Sequence, residues 1–218
     1  MHLKWLGHAG FKIGDLLVDP WVERLEAFGM EAPHTWTDID KDAKVIVVTH
    51  GHEDHFVGAF ALAKERNMTV MGTGESIGPA MAMGVKSEMM NMGGPVEAHG
   101  WKVTLVPAWH TGNATGAILQ KDGKTIYHTG DTCIFGDMKL IGEMYHPDVV
   151  LLPIGGRFTM DITQAVLAAK MIGAKLVIPM HYNTFPMVQA DAQAFKKQVE
   201  STTGSKVKVL AIGEETTI

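Results

Sequence analysis

Val45-Ile46-Val47-Val48-Thr49-His50-Gly51-His52-Glu53-Asp54-His55 is the stretch on which the fold turns. Its first five residues are all β-branched, the pattern of a strand buried on both faces in a sheet that is covered by helices. The next six place three histidines and two acids directly after that strand, where a turn can aim their side chains at one point. Imidazole and carboxylate are the ligands of zinc, manganese and iron. With 11 histidines in the 218 residues, three His and one Asp at these offsets arise by chance with a frequency on the order of 10⁻³. Four ionisable groups side by side would repel or desolvate one another unless an ion organised them.

Towards the N-terminus, apolar alternation predicts short strands at 3–6, 11–13 and 16–18, with Gly14-Asp15 as a tight turn. Between them and the decisive strand lies an irregular stretch, 20–42, that carries Trp21, Phe28, Met30, His34 and Trp36. A loop of that length beside a site is usually functional. Towards the C-terminus the pattern predicts a helix over 57–66, a strand over 69–71 and a helix near 75–83. Strands at 96–98, 103–106, 117–119 and 125–127 follow, with Lys121-Asp122-Gly123 as a hairpin turn. The last third alternates: strand 149–154, helix 162–171, strand 176–179, helix 191–200 and strand 207–212. Two strand-rich halves, each supplied with helices, imply two sheets packed face to face in a layered α/β arrangement. No Pro/Gly/Ser-rich linker or low-complexity tract interrupts the chain, so residues 1–218 are expected to form one domain.

Composition removes several classes of function. Hydrophobic residues at 46% and charged residues at 20% are those of a folded protein. No apolar run reaches the roughly 18 residues that cross a bilayer, so no membrane partner is expected. One cysteine, Cys133, allows no internal disulfide and suits the reducing cytoplasm, where a buried thiol would be inert. A net charge of -5 offers no general attraction to phosphate backbones, which argues against a nucleic-acid partner.

Three more ligand candidates share the context of the first cluster. His110 follows strand 103–106, Asp131 follows strand 125–127 and His181 follows strand 176–179. Groups just past strand ends are where sheet-based α/β folds present their chemistry. With His50, His52, Asp54 and His55 they make seven ligands, enough for two ions with open positions.

These residues, together with Leu6-Gly7-His8-Ala9-Gly10, Val18-Asp19-Pro20, Gly155-Gly156-Arg157-Phe158-Thr159-Met160-Asp161 and His181-Tyr182-Asn183-Thr184-Phe185-Pro186, resemble the metallo-β-lactamase superfamily. Within it the chain is most similar to a family of small metal-dependent hydrolases related to ascorbate-6-phosphate lactonase. The resemblance implies a four-layer αββα sandwich, the metallo-β-lactamase fold, with the metal site at one edge. It implies two divalent metal ions, zinc first and manganese or iron as alternatives. His50, His52 and His110 would bind one, Asp54, His55 and His181 the other, and Asp131 would bridge them. A hydroxide between the ions would be the nucleophile. Asp54 would orient it and take a proton, and His8 would face the substrate or a ligand. A small-molecule ester, lactone, amide or phosphoester is the implied substrate, and a homo-oligomer the implied assembly.

Supporting roles fall to neighbours. Asp19 is placed to hydrogen-bond a ligand histidine and fix its tautomer. Thr159 or Asp161 caps the helix that begins near Ile162, whose N-terminus could face an anionic group. Arg157 is a candidate grip for phosphate or carboxylate. Met68, Met71, Met81, Met83, Met89, Met90 and Met92 are expected mainly in the core, with an adaptable apolar surface as the other reading. His2, His34, His99, His128 and His146 have only surface or hydrogen-bonded roles. The stretch 23–36 is longer than the resemblance leads one to expect, which opens the question of substrate. Two other functions fit the scaffold: an oxidoreductase like the persulfide dioxygenases, with one iron and fewer ligands, and a metal-binding scaffold without catalysis. Asp54 and His181 present together favour two ions, and the complete ligand set argues against lost catalysis.

Overall fold

The computed structural model describes residues 1–35, 39 and 41–218. Trp36, singled out in the long loop, lies outside the described residues. The first sheet is built from β1 (His2–Gly7), β2 (Gly10–Ile13), β3 (Leu16–Val18), β4 (Val45–Val47), β5 (Thr69–Gly72) and β6 (Lys86–Met89), in that spatial order. Its first three strands are an antiparallel meander, and β3 to β6 run parallel. Helices α1 (Ala59–Glu65) and α2 (Gly74–Ala82) make the crossovers that parallel neighbours require.

The second sheet begins as an antiparallel ladder of β7 (Val96–Ala98), β8 (Trp101–Pro107), β9 (Thr115–Lys121) and β10 (Lys124–His128). It continues in parallel through β11 (Val149–Pro153), β12 (Leu176–Met180) and β13 (Lys206–Val207). Between those strands run α3 (Met138–Tyr145), α4 (Ile162–Ile172) and α5 (Ala192–Thr202). The chain then returns to the first sheet as β14 (Glu215–Thr217), antiparallel to β1.

Side-chain alternation explains the layers. Val45 and Val47 share a core with Leu3, Trp5 and Val18 of their own sheet and with Val103, Leu105, Ala117 and Leu119 of the other. Ile46 and Val48 point the opposite way, into a second cluster with Phe60, Leu62 and Ala63 of α1 and Ile77 and Ala80 of α2. A strand buried on both faces by this period of two must be apolar throughout, as residues 45–48 are. The result is the expected αββα sandwich.

The differences from the sequence reading lie where local signals are weak. β6, with the sequence Lys-Ser-Glu-Met, and β14 are polar edge strands with no apolar alternation to reveal them. Helix α3 has no side-chain cap and contains Gly142, a poor helix former. That glycine is required, because a Cβ there would stand 2.3 Å from the carbonyl oxygen of Ile172 at the end of α4. The strand expected over 207–212 ends at Val207, and the chain then crosses between the sheets, where Gly213 donates to Trp5. Of the seven methionines between 68 and 92, Met68, Met71 and Met90 are in the core, whereas Met81, Met83, Met89 and Met92 are exposed. Cys133 is also exposed, not buried as expected. Among the described residues no helix is long and apolar enough to cross a membrane.

Candidate metal centre

Strand direction brings the expected residues to one edge. In the first sheet β1, β3 and β4 run the same way, so His8, Asp19 and the 50–55 cluster follow their ends on one side. In the second, β8, β10 and β12 are likewise codirectional, and His110, Asp131 and His181 follow their ends. Backbone bonds clamp the two edges together: Thr115 N–H to Thr49 O at 3.1 Å, Gly51 N–H to Gly112 O at 3.1 Å and His181 N–H to His8 O at 2.9 Å. His8, Asp19 and His181 have φ of 52°, 45° and 54°. This left-handed backbone costs a non-glycine residue about 1 kcal/mol or more, strain that the surrounding structure has to hold.

Two groups of side chains converge. In the first, His50 Nε2 and His52 Nδ1 are 3.0 Å apart, and His52 Nδ1 and His110 Nε2 are 3.3 Å apart. Ring nitrogens on one tetrahedral zinc, each at 2.0–2.1 Å, stand about 3.3 Å apart, so the set has the spacing of an ion's ligands. The second group is His8, Asp54, His55 and His181, with one candidate ligand atom from each within 4.8 Å of all the others. Asp131 touches both groups, 3.0 Å from His181 Nε2, 3.5 Å from His55 Nε2 and 3.7 Å from His110 Nε2. His55 Nε2, both ring nitrogens of His181 and Asp131 Oδ1 are buried with no hydrogen-bond partner. Orphaned buried donors and acceptors of this kind are costly unless a ligand satisfies them, and their chemistry is that of a cation site.

Neighbouring groups set the tautomers. Asp19 is fully buried and accepts from Thr49 N–H at 2.8 Å, from Thr49 Oγ1 at 2.6 Å and from His55 Nδ1 at 2.8 Å. Burial alone would raise its pKa, but the His55 charge and hydrogen bond hold it below the usual carboxylate range. His55 Nδ1 therefore carries a proton, and its Nε2 faces Asp131. Because the Thr49 hydroxyl donates to Asp19, it accepts from His50 Nδ1 at 3.1 Å, and this turns the His50 Nε2 lone pair into the cluster. Burial, reinforced by the His55 charge, pushes His50 down to about 3 and keeps it neutral. Opposing its own burial, His55 is raised well above its ordinary value by Asp131 and Asp19.

His8 is fully buried, with Nδ1 2.6 Å from Thr184 Oγ1 and Nε2 3.0 Å from Asp54 Oδ2. Burial and the adjacent His181 push it down to about 4, so it is neutral. Burial alone would raise Asp54, but the His8 hydrogen bond and the His55 charge lower it strongly, leaving an ionised acceptor. Hence His8 Nε2–H donates to Asp54 and Thr184 donates to His8 Nδ1. Both nitrogens are engaged, so His8 contacts a candidate ligand and does not line the cavity in front of the cluster.

That cavity, of about 580 Å³, is bordered by His52, Asp54, His110, Asp131 and His181. Its outer wall includes Phe28, brought there by the long loop. Arg157 is exposed, lies 5.4 Å over the Phe158 ring and does not line the cavity, so its expected grip on an anion has no geometry behind it. Asp161 caps α4, accepting from Gln164 N–H at 2.8 Å, and Thr159 does not. The α4 N-terminus opens on a separate depression that contains Asp161 and Asp191, not on the cluster. His128, given no special role, is buried and bonds Ala9 O and Gly130 N–H through its two nitrogens. Thr49 and Thr184 also position groups of the cluster, and the sequence marks them only by their place beside His50 and in the stretch 181–186.

A two-sheet α/β sandwich with a His/Asp cluster where the strands of both sheets end defines a metallo-β-lactamase superfamily protein. A profile of the beta-lactamase superfamily domain matches residues 15–182. The chain is 44% identical to a UPF0173 metal-dependent hydrolase of Methanoregula boonei, over 98% of this chain and 96% of that protein. It is 42% identical to another from Staphylothermus marinus, over 97% and 96% of the two chains. Among solved structures, Igni18, a novel metallo hydrolase from the hyperthermophilic archaeon Ignicoccus hospitalis, superposes with a TM-score of 0.86 at 37% identity, covering 99% of this chain and 97% of its own. The chain belongs to the UPF0173 metal-dependent hydrolase family.

Proposed function

We propose that the protein is a hydrolase that uses two divalent ions, zinc first and manganese or iron as alternatives, to cleave a small ester, lactone, amide or phosphoester. His50, His52 and His110 would hold one ion and Asp54, His55 and His181 the other. What carries the reading is Asp131, one carboxylate within 3.0 Å of a nitrogen of the second group and 3.7 Å of a nitrogen of the first. When bound, such ions supply a water of lowered pKa as nucleophile and neutralise charge that develops on the substrate. The chain's own groups do the remaining work. Asp54 Oδ2 is held by His8, and the carboxylate so oriented would accept a proton and return it to the leaving group. His8 acts through Asp54, fixed by Thr184, and is a positioning residue. A small-molecule substrate, a cytoplasmic location and a homo-oligomeric state belong to the same reading.

Elemental mass spectrometry on protein purified without added metal tests it. Close to two equivalents of zinc or manganese per chain is the expected result. One equivalent of iron would replace the reading with a mononuclear oxidoreductase, and two bound ions without turnover of any ester, lactone, amide or phosphoester would leave a metal-binding scaffold.

Asp19 offers a quantitative check. Asp19→Ala removes the acceptor that fixes the His55 tautomer and is expected to weaken metal affinity by about 10- to 100-fold, the usual effect of losing a group that orients a ligand histidine. Competition with a chromogenic chelator measures this. Unchanged affinity would mean that the 2.8 Å bond to His55 Nδ1 does not orient the ligand.

A further inference from the structure

The wall of the cavity speaks to the part of the substrate that does not react. Beyond the His/Asp cluster its apolar part is formed by Leu25, Ala27, Phe28, Phe158, Phe185 and Met187, and Gly51, Glu53 and Thr111 complete it. Phe28, Phe158 and Met187 are 65%, 43% and 40% exposed, and among the described residues no other phenylalanine is exposed. Exposed large apolar side chains that converge on one concavity mark a binding surface. Phe28 is held there by its own loop. It ends a short 3-10 turn, Glu26–Phe28, closed by Gly29 in the left-handed region at φ 62°. Leu25 and Met30 exchange backbone bonds at 2.7 and 3.1 Å, Arg24 pairs with Glu26 and Glu31, and buried Leu25 packs with Trp21, Phe185 and Val188.

Charge on the wall points the same way. Among the described residues no lysine or arginine lines the cavity, and the charged side chain that they present outside the cluster is the exposed carboxylate of Glu53. Arg157 lies over the Phe158 ring and Arg24 is occupied by its two glutamates. An anionic group on the far end of a substrate would lose water against phenylalanine and meet a like charge, with no cation in compensation.

We propose that the substrate is uncharged away from the scissile bond and carries an apolar acyl or alkyl portion, received by Phe28, Phe158 and Met187. The proposal rests on the hydrolase reading above and narrows its substrate to one whose far end is apolar and neutral. It sets such substrates apart from those with a remote carboxylate.

Two parallel measurements on the metal-loaded protein test it. The first compares kcat/KM for 4-nitrophenyl acetate, butyrate and hexanoate and for mono-4-nitrophenyl adipate, in which a carboxylate stands where hexanoate has a methyl group. The expected result is a rise with chain length, bounded by about fourfold per fully buried methylene, and a preference for hexanoate over the adipate half-ester of about tenfold or more. Phe28→Ala and Phe158→Ala, both at exposed positions, should flatten the rise. The second measurement titrates hexananilide and the adipic acid monoanilide calorimetrically and needs no turnover. Tighter binding of the neutral anilide is expected. Equal or better performance of the carboxylate-bearing partner in either measurement, or a flat chain-length profile, overturns the proposal. Should no ester turn over while the neutral anilide still binds more tightly, the loss falls on the ester-hydrolase reading, and the substrate chemistry stands.

Discussion

Asp54→Ala is expected to lower kcat by about 10³-fold, within the range that a positioned general base contributes, and to lower the bound metal from two equivalents to about one. Both effects come from one carboxylate with two functions. It stands in the group with His55 and His181, and it lines the cavity where a substrate must sit. The hydrogen bond from His8 and the charge of His55 keep it ionised against the effect of its own burial, so it is an acceptor throughout the working pH range. Asp54→Asn separates the two functions, because the amide keeps the shape and can still accept from His8 through its oxygen but is a poor base. The Asn variant should lose turnover nearly as fully as Ala while retaining more metal. Single-turnover kinetics with metal analysis on the same samples reads both quantities. Retained kcat in Asp54→Ala would remove Asp54 from the chemistry.

The candidate ligands were readable in the sequence because each follows a strand that announces itself. The run 45–49 is β-branched throughout, and His110, Asp131 and His181 come one to three residues after β8, β10 and β12 end. Strands that share a direction end on one side, so position after a strand end is enough to gather these residues at one edge. What connects them was less accessible. The bond between Asp19 and His55 spans 36 positions and depends on β3 lying beside β4, and that between His8 and Thr184 joins residues 176 positions apart across the two sheets. A threonine next to a histidine in sequence carries no mark of the hydrogen bond that it will make. The apolar wall of the cavity was hidden for the same reason: Phe28, Phe158 and Met187 come from three separate loops and meet only in the folded chain. Among the elements, α3, β6 and β14 were missed because their existence is decided by neighbours, through the close approach of Gly142 to α4 and through pairing at polar sheet edges.

Gly155→Ala should cost about 3 kcal/mol of stability, at the upper end of overpacking in a closed interior, which for a chain of this size lowers Tm by about 6–12 °C. A Cβ at this position would stand 2.2 Å from the carbonyl oxygen of His181 and 2.8 Å from Cβ of Val188, a fully buried residue. Neither neighbour can yield cheaply. The His181 carbonyl belongs to a residue already held at φ 54°, whose N–H donates to His8 O at 2.9 Å. Its ring is confined between His8, with centroids 3.8 Å apart, and the Asp131 carboxylate at 3.0 Å. Relief of the clash must therefore move His181, and metal affinity should fall together with stability. Melting curves recorded with excess chelator and with saturating zinc separate the two contributions. A Tm loss of similar size in chelator locates the cost in packing, and a further loss with zinc is the part transmitted through His181. If Tm and zinc affinity both matched the wild type, the segment around Gly155 would be free to move away from His181, and the glycine would not be what sets the position of that ligand.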